Sequence, residues 1–320
     1  MSERSSRVPS RVPSPMAALR AAQAATTFPL RAPTTPRTVE PLPEEKHTGA
    51  DFDTAWARRV PARMARALVV EGVLRPTAHL LARPEVVGLD RLGDLEGPAI
   101  FAANHHSHVD TPLLLSVIPE PWQHHLAIAA AADYFFGNRV TGGMSALFLG
   151  AIPIDRTSVN RRSADLAADL IADGWSLLIF PEGGRSPDGW GQPFRGGAAY
   201  LSLRCEVPVV PIHLAGTSRI LKKGRTLPTP SPTTVTFGTP MRAHDGESSH
   251  RLAERIEAEV AALADESATD WWQARRRAHT DASPSLSGPA GPAPWRRMWA
   301  LDERTPAVRR RKRAWPDLSS

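Results

Sequence analysis

The sequence predicts an α/β fold, a mixed central sheet flanked by helices, with an N-terminal amphipathic helical segment. Short β-branched or aliphatic runs recur at residues 85–89, 99–103, 126–130, 151–154, 176–180, 207–212 and 233–237, each short enough to be a strand. Helical patterns fall between or after them at 111–117, 160–172, 197–204 and 247–277, the alternation of a sheet covered by helices. Residues able to do chemistry follow directly on several of the aliphatic runs, and strand ends are where α/β sheets gather ligands.

In chain order, residues 1–50 are dominated by Pro, Ser, Thr, Arg and Ala and lack the periodic hydrophobicity needed to offset the entropy of ordering. They read as a disordered arm. Their proline content and missing apolar core speak against a secretory signal, whereas an organelle transit peptide stays open. Over residues 54–81, Trp56, Val60, Met64, Ala67 and Leu68 share one helical stripe, and Arg58, Arg59, Arg63 and Arg66 fall on the other side. Pro61 marks a kink or a new first turn. Such a helix can lie in a headgroup layer with its Trp and Met inserted, or pack on the domain with a solvated Arg face. The folded domain is expected over 51–282, with its motif-bearing core at 85–238. From 283 to 320, prolines and the run Arg309, Arg310, Arg311, Lys312, Arg313 predict a disordered basic tail suited to anchoring on anionic lipid. Its interleaved Trp295, Trp299 and Trp315 admit nucleic-acid binding, but no recognised binding fold accompanies them and no nucleic acid is expected.

A chain of 320 residues accommodates one catalytic-size domain with loose ends. With 39 Lys and Arg against 33 Asp and Glu, the formal charge of +6 favours anionic partners. Cys205 is the single cysteine, which excludes an intramolecular disulfide and a cysteine metal cluster and fits a reducing compartment. No stretch approaches the roughly 18 apolar residues that span a bilayer, so the expected location is cytoplasmic with peripheral membrane contact.

Four segments carry candidate chemistry. In the first, Asn104, His105, His106, Ser107, His108, Val109 and Asp110 follow the run 99–103. Imidazole is suited to taking a hydroxyl proton near neutral pH, and a neighbouring carboxylate favours the imidazolium that results. Five residues separate His105 from Asp110, so a turn must lie between them if they are to meet. Ser107 with Asp110 three residues on also makes a capping-box pattern, and Asp110 can cap a helix and face His105 at once. A zinc site built on these histidines has neither a cysteine cluster nor a His-Glu-x-x-His pattern to complete it; His124 and His125 are candidate extra ligands but read as surface residues, and no metal is expected. The second segment, 150–156, is a short strand ending in Asp155 and Arg156, either a surface ion pair or a guanidinium placed for phosphate. The third, 180–186, puts Glu182, Gly183, Gly184 and Arg185 after a strand, either a plain turn or a backbone that an anion can approach closely. The fourth, 207–213, is an apolar strand whose Pro208 and Pro211 restrict it to an edge or to positions needing no amide donor.

Taken in this order, the four segments resemble the motifs of the glycerolipid acyltransferase family that includes the 1-acyl-glycerol-3-phosphate acyltransferases. His105 and Asp110 fill its His-x4-Asp pattern, and the likeness covers about residues 85–238. It implies a fatty acyl transfer from acyl-CoA or acyl carrier protein, used as co-substrate with no bound cofactor, to a hydroxyl of lysophosphatidic acid or a related phosphate-bearing lipid acceptor. It further implies that His105 is the general base and Asp110 orients it. Arg156, Glu182, Gly183 and Arg185 would hold the acceptor, and Pro211 would shape the acyl pocket. Gly184 departs from the family pattern, which has Thr there, and the missing hydroxyl would change the contacts offered to the acceptor. A non-catalytic lipid-binding relative of the same fold is the alternative.

Overall fold

The computed structural model describes residues 49–155, 161–186, 189–221 and 227–288; the expected arm at 1–48 and the tail from 289 onward lie outside them. Seven strands form one sheet in the order β1-β7-β6-β2-β5-β3-β4. They are β1 Pro84–Val87, β2 Ile100–Ala103, β3 Leu126–Ala131, β4 Ala151–Ile154, β5 Ser176–Ile179, β6 Val209–Ala215 and β7 Thr233–Phe237. Neighbours run parallel except β6 and β7, which pair antiparallel and make the sheet mixed.

Both faces of the inner sheet are covered, which is why β2, β5 and β6 read as nearly continuous aliphatic runs. Alternation splits β2 between the layers. Phe101 and Ala103 join Leu113, Leu114 and Val210 on one side, and Ile100 and Ala102 join Leu170, Leu177 and Ile256 on the other. Among the described residues the helices of eight or more residues are α1 Val60–Val69, α2 Arg75–Ala82, α3 Asp110–Val117, α4 Arg161–Ala172, α5 Gly197–Cys205, α6 Ser249–Ala268 and α7 Trp271–His279, and α2 to α6 supply these layers.

Four local points that the sequence reading missed or left open have physical causes. The pattern at 247–277 is two helices, because Asp270 accepts the Gln273 N–H and opens α7 afresh. β6 takes the second of the two placements its prolines allow, interior and not at an edge: Pro211, paired with Ala102 of β2, stands where no amide donor is needed, and its carbonyl accepts the Gly238 N–H. The chain stays packed past residue 282, since Leu286 is buried against Val260 and Ala261 and its carbonyl accepts the Gly191 N–H.

The fourth concerns α1, whose faces are inverted relative to a helix packed by its apolar side. Val60, Met64 and Leu68 are 64%, 64% and 75% exposed, whereas Arg66 is buried. Arg66 Nε donates to the Leu147 carbonyl, and its Nη2 donates to those of Ala57 and Ala146, at 2.7 to 2.9 Å. A planar guanidinium can meet three carbonyls that apolar side chains would leave unpaired. Burial and the nearby Arg63 and Arg58 bring its pKa down to about 10, so it keeps its charge near neutrality. Gly150 makes room for it: with φ of +68°, its hydrogen faces the Arg66 guanidinium, which an added Cβ would approach to 3.1 Å. The solvated-Arg alternative for this helix is thereby corrected for Arg66.

Candidate active site

β2 ends at Ala103, and the next side chain fixes the start of the loop. Asn104 is 1% exposed and forms a two-way bridge to Leu214 of β6, accepting its N–H at 2.7 Å and donating to its carbonyl at 2.9 Å. The chain then turns through residues 105–109 and enters α3 at Asp110, whose N–H donates to the Ser107 carbonyl. This turn brings together the pair that the five-residue spacing separates: His105 Nδ1 lies 2.8 Å from Asp110 Oδ2. The same oxygen accepts the His106 and Ser107 N–H groups at 2.7 and 2.8 Å. Asp110 thus reaches back to Ser107 as in a capping box and faces His105 at once.

Asp110 is fully buried. Burial pushes its carboxyl upward, but the His105 hydrogen bond, the charges of His105 and His106 and the Ser107 N–H outweigh it and hold the pKa below the ordinary value. A carboxylate only accepts, so Nδ1 carries the ring proton and Nε2 keeps its lone pair. The ring is stacked on Phe180, with centroids 4.1 Å apart and an interplanar angle of 22°. His106 is set differently: burial lowers its pKa, and its Nδ1 has no partner.

The loop after β5 grips the main chain of His105. Glu182 Oε1 accepts the His105 N–H at 2.8 Å, and Ser186 donates its N–H to the His105 carbonyl at 3.0 Å. The other Glu182 oxygen accepts the Gln192 N–H at 2.9 Å. Glu182 is 1% exposed, and burial lifts its pKa to about 7 against the pull of those two N–H groups. Gly183 has a φ of +70°, and a Cβ there would stand 2.9 Å from Arg195 Nε, so the guanidinium lies directly over this glycine.

His105 opens on a cavity of about 510 Å³. Its polar lining includes His108 and Arg185, with Gly183 and Gly184 beside Arg185 in sequence. The walls are apolar and come from β3, β4 and β5, with Ala129, Ala130 and Ala131 leaving width where larger residues would close it. Tyr134 stacks on His108 with centroids 5.8 Å apart.

Of the residues expected at the site, His105, Asp110, Gly183 and Arg185 come together. Glu182 sits behind His105 and does not line that cavity, and Arg156 lies outside the described residues. Pro211 does not line it either. Its ring packs on Gly238, where an added Cβ would meet Pro211 Cγ at 2.7 Å. Sequence reasoning missed the alanine wall, whose signal is a run of alanines inside a strand buried on both faces. It also missed Asn104 as the loop's anchor. Among the described residues, no group of three or more His, Cys, Asp or Glu is placed to hold a metal.

The site combines an imidazole held by a buried carboxylate with a largely apolar cavity whose lining includes Arg185, an arrangement able to take up a hydroxyl proton. Residues 83–215, less than half of the chain, match the family model described as Acyltransferase, and over this stretch the chain is similar to 1-acyl-sn-glycerol-3-phosphate acyltransferases. It is 31% identical over 144 residues to the chloroplastic 1-acyl-sn-glycerol-3-phosphate acyltransferase BAT2 of Brassica napus, covering 44% of this chain and 40% of that one. Against the 1-acyl-sn-glycerol-3-phosphate acyltransferase of Limnanthes alba it is 41% identical over 150 residues, covering 46% and 51%. The chain thus spans about half the length, or less, of these relatives. The crystal structure of the 1-acyl-sn-glycerophosphate acyltransferase from Thermotoga maritima covers 65% of this chain and 81% of its own at 23% identity and a TM-score of 0.49. That likeness is too low to add to the residue-level match.

Proposed function

We propose that the protein transfers a fatty acyl group from a thioester donor, acyl-CoA or acyl carrier protein, to a hydroxyl of lysophosphatidic acid or a closely related phosphate-bearing lipid. The observation that carries this reading is the 2.8 Å contact between His105 Nδ1 and Asp110 beside a largely apolar cavity whose lining includes Arg185. His105 Nε2 takes the acceptor hydroxyl proton as the oxygen attacks the thioester carbonyl carbon. Asp110 favours the imidazolium as it forms. The tetrahedral oxyanion collapses, the C–S bond breaks, and the thiolate leaves with the proton returned by the imidazolium. The products are an ester and a free thiol. The site needs no acyl-enzyme, because base, acceptor and thioester meet in one cavity. Arg185 supplies positive charge for the acceptor phosphate, and the names of the relatives point to a 1-acylglycerol phosphate as that acceptor.

Peripheral association with an anionic membrane belongs to the same proposal. No helix among the described residues is long and apolar enough to cross a membrane. The exposed stripe of Val60, Met64 and Leu68 supports insertion into a headgroup layer, as does the formal charge of +6.

The test is a matrix of acyl-CoA and acyl carrier protein donors against lysophosphatidic acid, glycerol-3-phosphate and other lysophospholipids, with products read by mass spectrometry. An acylated lysophosphatidic acid is expected. No thioester consumption with any acceptor, alongside tight vesicle binding, would overturn the proposal in favour of a non-catalytic lipid-binding protein.

A further inference from the structure

We infer that Glu182 is a positioning residue for His105 and not a ligand of the acceptor. The inference rests on His105 being the general base. Its ground is that both Glu182 oxygens are committed to main-chain amides. Oε1 accepts the His105 N–H at 2.8 Å and Oε2 the Gln192 N–H at 2.9 Å. The side chain is 1% exposed and does not line the cavity onto which His105 opens, although its neighbours Gly183, Gly184 and Arg185 do.

The setting shows what this carboxylate accomplishes. The His105 peptide is held from both ends by the 180–186 loop, its N–H by Glu182 and its carbonyl by the Ser186 N–H. The ring is stacked on Phe180 of the same loop. That loop is in turn tied to the segment at 191–195, through Gln192 to Glu182 and through the Arg195 N–H to the Pro181 carbonyl at 2.9 Å. Glu182 joins the base's peptide to this segment directly. Asp110 fixes the ring's tautomer and tilt; Glu182 fixes where the ring's backbone begins. A displacement of about 1 Å at a reacting group costs on the order of 10²-fold in rate, so such a tie acts on turnover.

Glu182→Gln in the full chain tests this. One amide oxygen can serve one of the two N–H groups, and the amide nitrogen meets the other as donor against donor. With lysophosphatidic acid and acyl-CoA, kcat should fall about 10- to 100-fold while KM for the acceptor stays within about twofold. Hydrogen exchange at the His105 amide should quicken, since that N–H loses an acceptor or its orientation. Glu182→Asp keeps the charge but is one carbon short of spanning both amides, so the same split is expected. A rise in acceptor KM with kcat preserved would make Glu182 an acceptor ligand and overturn the inference. Unchanged kinetics with unchanged exchange would overturn it too. The base reading fails separately, through an active His105→Ala variant, and the exchange measurement reports on the Glu182 tie whichever way that variant behaves.

Discussion

Replacing Asp110 by Asn changes one atom type and the charge at the support of the base. In the native site Oδ2 accepts from His105 Nδ1, the His106 N–H and the Ser107 N–H, all within 2.7 to 2.8 Å. Asparagine can keep its carbonyl oxygen in that place, so the loop retains acceptors and the fold should survive. What is lost is the negative charge 2.8 Å from the ring. At that distance and an effective dielectric of about 20, a full imidazolium and a carboxylate attract by about 6 kcal/mol. With roughly half of the ring charge developed in the transition state, the loss is about 3 kcal/mol, or on the order of 10²-fold in kcat. If the amide instead turns its nitrogen toward Nδ1, the ring is driven to the other tautomer and the loss is larger. The assay is steady-state acyl transfer by purified Asp110→Asn, beside the native chain, with circular dichroism to verify the fold. A folded variant turning over within about threefold of native would refute the reasoning, because no buried charge could then be supporting the base.

Three further outcomes are expected. Arg66→Ala leaves three carbonyls without their donor and should cost about 2 to 4 kcal/mol in urea unfolding, a loss Arg66→Lys recovers only in part because an ammonium lacks the planar fork. Met64→Asp with Leu68→Asp should weaken binding to anionic vesicles at least about tenfold while sparing transfer to detergent-dispersed acceptor, since both side chains point to solvent and away from the cavity. The third concerns pH: the Glu182 carboxyl is lifted from 4.5 to about 7, so the folded chain holds a proton that the unfolded chain releases in that interval. Its contribution to stability is full below about 4.5 and is lost as pH rises through about 7, a change of about 3 kcal/mol. Unfolding free energies of native and Glu182→Gln protein, followed across that window, should converge or cross by this amount as pH rises.

The sheet was legible because its inner strands, such as β2 and β6, are buried on both faces and so appear as aliphatic runs, while β1 and β7 showed through β-branched residues; all seven runs became strands. His105 and Asp110 were legible for a local reason: both lie within one loop and one helix turn, and the chemistry of the two residue types limits what they can do together. The inverted face of α1 was not, because periodicity reveals that a helix has two sides without saying which is inside. Three backbone carbonyls, supplied by residues 9, 80 and 81 positions away from Arg66, decide that. The tie from Glu182 to the His105 amide spans 77 positions and was equally hidden. Where Pro211 would sit was not legible from its motif: its strand is interior and its ring packs on Gly238.

Single-turnover acyl transfer to lysophosphatidic acid by purified His105→Ala is the most direct measurement. If the imidazole is the base, the rate falls by about 10²- to 10⁴-fold while the melting curve stays close to native, because the ring contributes its proton chemistry and little core packing. A folded variant that acylates the acceptor within about threefold of the native rate would contradict a role for His105 as general base.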